Sequence, residues 1–139
     1  MPTQPAGYSG TPLPKKLGIK PGHRVGFVHA PDGFAAALGA LPEDVEIVAE
    51  DAGALDLAVF FTTRADALPA AFRQIGPRVY PAGMLWIAWP KKAAKVPTDV
   101  TEDVVRAVGL QGGMVDVKVC AIDAVWSGLK FVYRLADRR

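Results

Sequence analysis

The run Met84–Trp89, MLWIAW, constrains the fold more than any other stretch of the chain. Bounded by Pro81-Ala82-Gly83 before it and Pro90 after it, it is too short for a helix of ordinary length and reads as a buried strand. A strand with no polar face belongs inside a sheet that is covered on both sides. Leu55–Thr62 (LDLAVFFT) has the same character and reads as another central strand. The chain therefore needs layers above and below its sheet.

Helical patterns alternate with strand patterns in a way that supplies those layers. His23–Ala30 (HRVGFVHA) reads as a first strand closed by the turn Pro31-Asp32-Gly33. Phe34, Ala37, Leu38 and Leu41 fall on one narrow helical stripe that Pro42 interrupts. Val45–Glu50 (VEIVAE) alternates as an edge strand does. Asp66 stands as the cap of a second helix, lined by Leu68, Phe72 and Ile75 and ended by Gly76-Pro77. Asp99 and Glu102 form a D-x-x-E start for a third, with Val100, Val104 and Val108 along it and Gly112-Gly113 as its stop. Val115–Ile122 and Leu129–Leu135 alternate on either side of the Asp123–Gly128 link, an antiparallel hairpin. Residues 1–14, with four prolines and no apolar periodicity, read as an extended or disordered arm that packs, if at all, through Tyr8 and Leu13.

This order predicts the α/β fold class: a single three-layer Rossmann-like domain over residues 15–139, with a mainly parallel sheet and a C-terminal antiparallel hairpin. One connection resists it. About six residues join Glu50 to Leu57, whereas a parallel crossover takes roughly a dozen, so the second strand is short, antiparallel, or followed by an extended return.

Half of the 139 residues are hydrophobic, enough for one core without staples. Cys120 is the sole cysteine, which rules out an intrachain disulfide and a multi-cysteine zinc site and fits a cytoplasmic protein with no metal. The amino end MPTQPAGYSGTP lacks a basic start and an apolar h-region, and no run approaches the roughly 18 apolar residues that span a bilayer. No membrane is expected. Sixteen Lys+Arg against fourteen Asp+Glu leave a formal charge of +2, too little for affinity resting on phosphate neutralisation, so nucleic acid is not the expected partner.

The segment Leu17-Gly18-Ile19-Lys20-Pro21-Gly22-His23-Arg24-Val25 resembles the entry to the first strand of class I methyltransferases, and Tyr80-Pro81-Ala82-Gly83-Met84-Leu85-Trp86-Ile87 resembles the entry to their fifth. Over nearly the whole chain, the phrases YSGTPLPKKLGIKPG, WIAWPKK, PTDVTEDVVR and VDVKVCAID-x-x-WSGLKFV resemble a family of small uncharacterised bacterial proteins, a domain of unknown function. The resemblance implies a methyltransferase-like Rossmann fold and a cytoplasmic bacterial setting, and brings no established activity with it. Methyltransferases follow their first strand with a glycine-rich turn that lets the backbone approach S-adenosylmethionine. Here the turn is His29-Ala30-Pro31-Asp32-Gly33-Phe34, with one glycine. Pro31 removes an amide donor and Phe34 is expected to fill space a ligand would need. Glu50 or Asp51, at the end of the second strand, stands where an acidic residue holds the ribose hydroxyls in those enzymes, whose next strand and helix are missing here.

Ligands of open α/β sheets gather at the carboxyl ends of the strands. That rule brings together His29, Asp32 and Gly33, then Thr62, Thr63 and Arg64, then Pro90-Lys91-Lys92. Two ammonium groups at such an edge suit a phosphate, a carboxylate or an acidic partner. The plainer alternative is that Lys91 and Lys92 keep the end of an apolar strand soluble, or pair with Asp99 or Glu102. His29, with Asp32 three residues on, reads as a structural histidine before a general base, since no serine or cysteine nucleophile lies near it. Cys120 shares a strand face with Lys118 and Ile122 and reads as a small core residue. Trp126 reads as an anchor closing the sheet end, with a partner surface as the alternative.

The expected function is a non-catalytic cytoplasmic binding or regulatory module. Its anion- or partner-binding edge is Lys91 and Lys92, it uses no cofactor, and it takes a small anionic ligand or an acidic protein. One alternative is an enzyme using S-adenosylmethionine or a nucleotide in an altered cofactor loop, with His29, Asp32, Gly33 and Glu50 as binding candidates. The other is a protein-interaction module using the arm, the Trp126-Ser127-Gly128 turn and the basic clusters Lys15–Lys16, Lys91–Lys92–Lys95 and Arg138–Arg139.

Overall fold

The computed structural model describes residues 11–48 and 53–138. Six strands form one sheet: β1 (Arg24–Val28), β2 (Glu46–Val48), β3 (Leu57–Phe61), β4 (Met84–Pro90), β5 (Val115–Ala121) and β6 (Trp126–Val132), in the order β2-β1-β3-β4-β6-β5. The first four run parallel, while β6 is antiparallel to both β4 and β5. Helices α1 (Leu13–Leu17) and α2 (Phe34–Leu38) cover one face; α3 (Leu68–Val79) and α4 (Glu102–Gln111) cover the other. This is the three-layer α/β architecture expected.

Alternation along the central strands feeds the two cores. Leu57, Val59, Phe61 and Trp86 meet Leu13, Leu17, Phe34 and Leu38, whereas Ala58, Phe60, Leu85 and Ile87 meet Leu68, Phe72, Ile75 and Val105. All of β3 is buried, and all of β4 beyond Met84, so the two-sided apolar run is fully used. The indole N–H of Trp86 finds its partner in the Leu17 carbonyl at 2.8 Å, fastening α1 to the middle of the sheet.

The awkward second strand is short, and it is parallel to β1. The chain then returns to the start of β3, where Leu55 N–H donates to the Arg78 carbonyl and Asp56 N–H to the Arg24 carbonyl, both at 2.8 Å. Glu50 and Asp51, the carboxylates weighed as ribose ligands, lie outside the described residues, as does Tyr8.

Five boundaries differ from expectation. Leu13 and Pro14, placed in the arm, belong to α1: Leu13 and Leu17 lie one turn apart and are buried, and Gly18 closes the helix in the left-handed region at φ 92°. Helix α3 runs through Pro77 to Val79, because Tyr80 N–H still reaches the Gly76 carbonyl at 3.1 Å. Asp99 does not start α4; Thr101 does, its hydroxyl accepting from Val104 N–H at 3.2 Å. The hairpin turn closes early, since the Asp123 carboxylate accepts from the amides of Val125 and Trp126, each at 2.8 Å, and so brings Trp126–Gly128 into β6. Leu135, expected as a strand residue, sits exposed in a short 3-10 turn instead.

Candidate functional site

The carboxyl ends of β1, β3 and β4 lie side by side, and their loops carry every described residue singled out for that edge. After β1, His29 adopts a left-handed φ of 58° and its ring lies over Phe60, centroids 5.5 Å apart. Asp32 is exposed, and among the described residues no hydrogen bond joins it to His29. Gly33 takes φ 85° to enter α2, and a Cβ there would meet nothing within 4 Å, so the surface above it is open.

Phe34 corrects an expectation. Instead of filling the ligand's space, its side chain turns into the α2-side core, edge-on to Phe27 at 5.0 Å and to Phe61 at 4.9 Å. The helical stripe that places Phe34 beside Leu38 aims both at the sheet, leaving the outer surface of the turn free.

After β3, the loop is tied down rather than offered. Thr98 donates its hydroxyl to the Thr63 carbonyl at 2.7 Å, and Asp99 accepts from Ala65 N–H at 2.8 Å. Asp66, expected to cap α3, instead forms a fork with Arg64 at 3.0 and 2.7 Å, so Asp99 satisfies the amide at that helix start from across the edge. The Arg64 guanidinium holds the Asp66 carboxyl below its ordinary pKa.

After β4, Lys91 is half-buried, its backbone N–H held by the Val125 carbonyl at 2.7 Å, and Lys92 is exposed. Neither pairs with the carboxylates considered for them. Asp99 is engaged at Ala65, and Glu102 pairs with Arg106 in a fan that also holds Asp103 and Asp116. Among the described residues no ion pair engages Lys91 or Lys92. Trp126 is half-buried, edge-on to Phe61 at 5.3 Å, and so closes the sheet end.

A concavity that no sequence motif marks starts at this edge. A cleft of about 600 Å3 opens beside His29 and runs along α3, floored by Val28 and Phe60 and walled by Ala67, Ala70, Ala71 and Ile75. Gln74 and Arg78 supply its polar groups, and Arg78 reaches the Gly53 carbonyl at its far end, 2.8 Å away. The cleft exists because Ala67, in the turn leading into α3, and Ala70 and Ala71, one turn on within it, line it with small side chains. That small-residue spacing was the available signal. Among the described residues expected at the site, His29 alone lines the cleft.

No protein-family model and no curated protein matches the chain. Solved structures do. A SAM dependent methyltransferase from Aquifex aeolicus is 14% identical with a TM-score of 0.60, over 84% of this chain and 85% of that one. The ribosomal protein L11 methylase from Lactobacillus delbrueckii subsp. bulgaricus is 13% identical with a TM-score of 0.61, over 88% and 75%. Aeropyrum pernix fibrillarin, solved with natively bound S-adenosyl-L-methionine, is 13% identical with a TM-score of 0.55, over 91% and 70%. At such identities the likeness is one of fold, and the strand order with its antiparallel β4-β6-β5 portion gives it substance. The chain has a class I methyltransferase-like Rossmann fold.

Proposed function

We propose that the chain binds S-adenosylmethionine in the cleft between β1, β3 and α3 and works as a small S-adenosylmethionine-dependent enzyme. The observation that carries this reading is the cleft itself: about 600 Å3, within the range of small-molecule sites, apolar along its floor and wall, and opening at the carboxyl end of β1. The residues fit an adenosyl group. The rings of Phe60 and His29 give a base an aromatic surface, the alanines of α3 leave room that larger side chains would fill, and Gln74 offers an amide. With Phe34 turned inward, nothing described stands over Gly33. When bound, this cofactor supplies an electrophilic methyl group. The chain's own part is to seat it away from water, with His29 at the mouth as the group that takes a proton from an incoming acceptor.

A second reading rests on Lys91 and Lys92, whose nearby carboxylates are committed elsewhere. It makes the same edge a non-catalytic site for a small anion or an acidic protein. One titration separates the two. Calorimetry with S-adenosylmethionine and S-adenosylhomocysteine should show saturable binding to the wild type. Saturating ligand, at about a hundred times its dissociation constant, should add about 2.7 kcal/mol of stability. Ala70→Trp, which fills the cleft, should abolish binding, and the Lys91→Met/Lys92→Met pair should leave it intact. Binding that survives in Ala70→Trp, or no heat at millimolar ligand, defeats the adenosyl reading. An anion-dependent thermal shift lost only in the lysine pair establishes the second.

A further inference from the structure

On the opposite face of the sheet, level with Trp86 in β4 and reaching toward Ala121 of β5, lies a cluster of lysines that neither reading uses. The β5–β6 register sets Lys118 directly across from Lys130. Like charges at directly opposed positions of an antiparallel pair destabilise it. Lys130 is half-buried with its ammonium 5.8 Å from the centre of the Trp86 ring, which restrains how far it can swing away. Lys16, buried in α1, sends its Nζ to the Ala121 carbonyl at 2.7 Å, and Lys118 sends its own toward the Lys16 carbonyl at 3.4 Å. Lys20 follows α1 in the chain and adds its charge to the same region. Burial first, then Lys118 and Lys20, pushes the Lys130 ammonium below its ordinary pKa. Burial pushes the Cys120 thiol beside them up, against the opposing pull of Lys16, Lys118 and Lys130.

A repulsive pair held in place by the sheet register, one member packed on an aromatic ring, is a device for receiving negative charge. We infer that Lys118 and Lys130, supported by Lys16 and Lys20, form a second binding site for the di- or triphosphate group of a phosphorylated small molecule. A compact multiply charged anion relieves the repulsion between the paired ammonium groups and accepts a charge-assisted hydrogen bond from each. The sheet separates this site from the cleft along α3, which borders the other face.

Inorganic pyrophosphate is the probe, titrated into the full chain at constant ionic strength and followed by thermal unfolding and by 31P line broadening. The wild type should gain stability with pyrophosphate beyond a potassium chloride control. Lys118→Met and Lys130→Met keep the apolar stems. Each should raise the melting temperature without pyrophosphate and weaken its binding by about tenfold or more, the loss of one charge-assisted hydrogen bond. Ala70→Trp should bind pyrophosphate as the wild type does, keeping this outcome separate from the fate of the adenosyl reading. The inference is overturned if pyrophosphate adds nothing beyond chloride, or if both lysine variants retain its effect. It is equally overturned if the chain binds a single-stranded oligonucleotide through these lysines while ignoring pyrophosphate.

Discussion

Gly109 shows how tightly one position can be specified. It sits on the buried side of α4 with the Phe131 ring directly against it, so a methyl group there has no room unless strand and helix separate. Gly109→Ala should therefore destabilise the protein by about 1–3 kcal/mol despite alanine's better helix propensity, a sign reversal readable in urea unfolding. A variant as stable as wild type would mean that Phe131 swings aside. Other single residues resist reading from sequence because their partners are remote. The D-x-x-E spacing of Asp99 and Glu102 points to a local cap, yet Asp99 serves Ala65 and Glu102 serves Arg106. A short-range pattern cannot register an acceptor supplied from 34 residues away.

At the level of elements, hydrophobic patterning located the six described strands and three of the four described α-helices, since burial is what it measures. It missed α1, whose one helical turn carries only Leu13 and Leu17 as signal amid prolines. It also misjudged ends, which depend on hydrogen bonds more than on burial. Helix α4 is a case where the terminal bond is a single identifiable one. Thr101→Ala removes the hydroxyl that accepts from Val104 N–H and should cost about 1 kcal/mol, whereas Thr101→Ser should cost little. Equal losses in both, measured by denaturant midpoints, would assign the effect to something other than the cap. The Arg106 fan belongs to the same scale. It joins α4 to β5 through Asp116 at 3.0 Å and ties the first turn of α4 through Glu102 and Asp103. The guanidinium is held above its ordinary pKa by those partners.

Across the whole molecule, two consecutive all-buried strands were enough to imply covered faces, and so the three-layer fold was legible. The candidate site was legible only at its rim. His29 could be found by counting to the end of a strand. The cleft arises from β1, β3 and α3 together, and no local motif announces a hollow between elements. The final hairpin has a similar long-range character. Strand β6 lies between β4 and β5, and β5 hydrogen-bonds to the rest of the sheet through β6 alone. A chain ended after Val125 should consequently lose cooperative unfolding altogether, rather than merely losing one strand's share of stability. Calorimetry would show no heat-absorption peak, and a sharp residual transition would refute the point.

During translation this arrangement imposes a waiting period. When β5 has been made, the slot beside β4 still waits for β6, so one backbone edge of β4 stays unpaired in the nascent chain. Assembly of that half of the sheet is thus deferred until the slot between the two strands is filled, the interval in which an unpaired strand edge is most open to wrong partners.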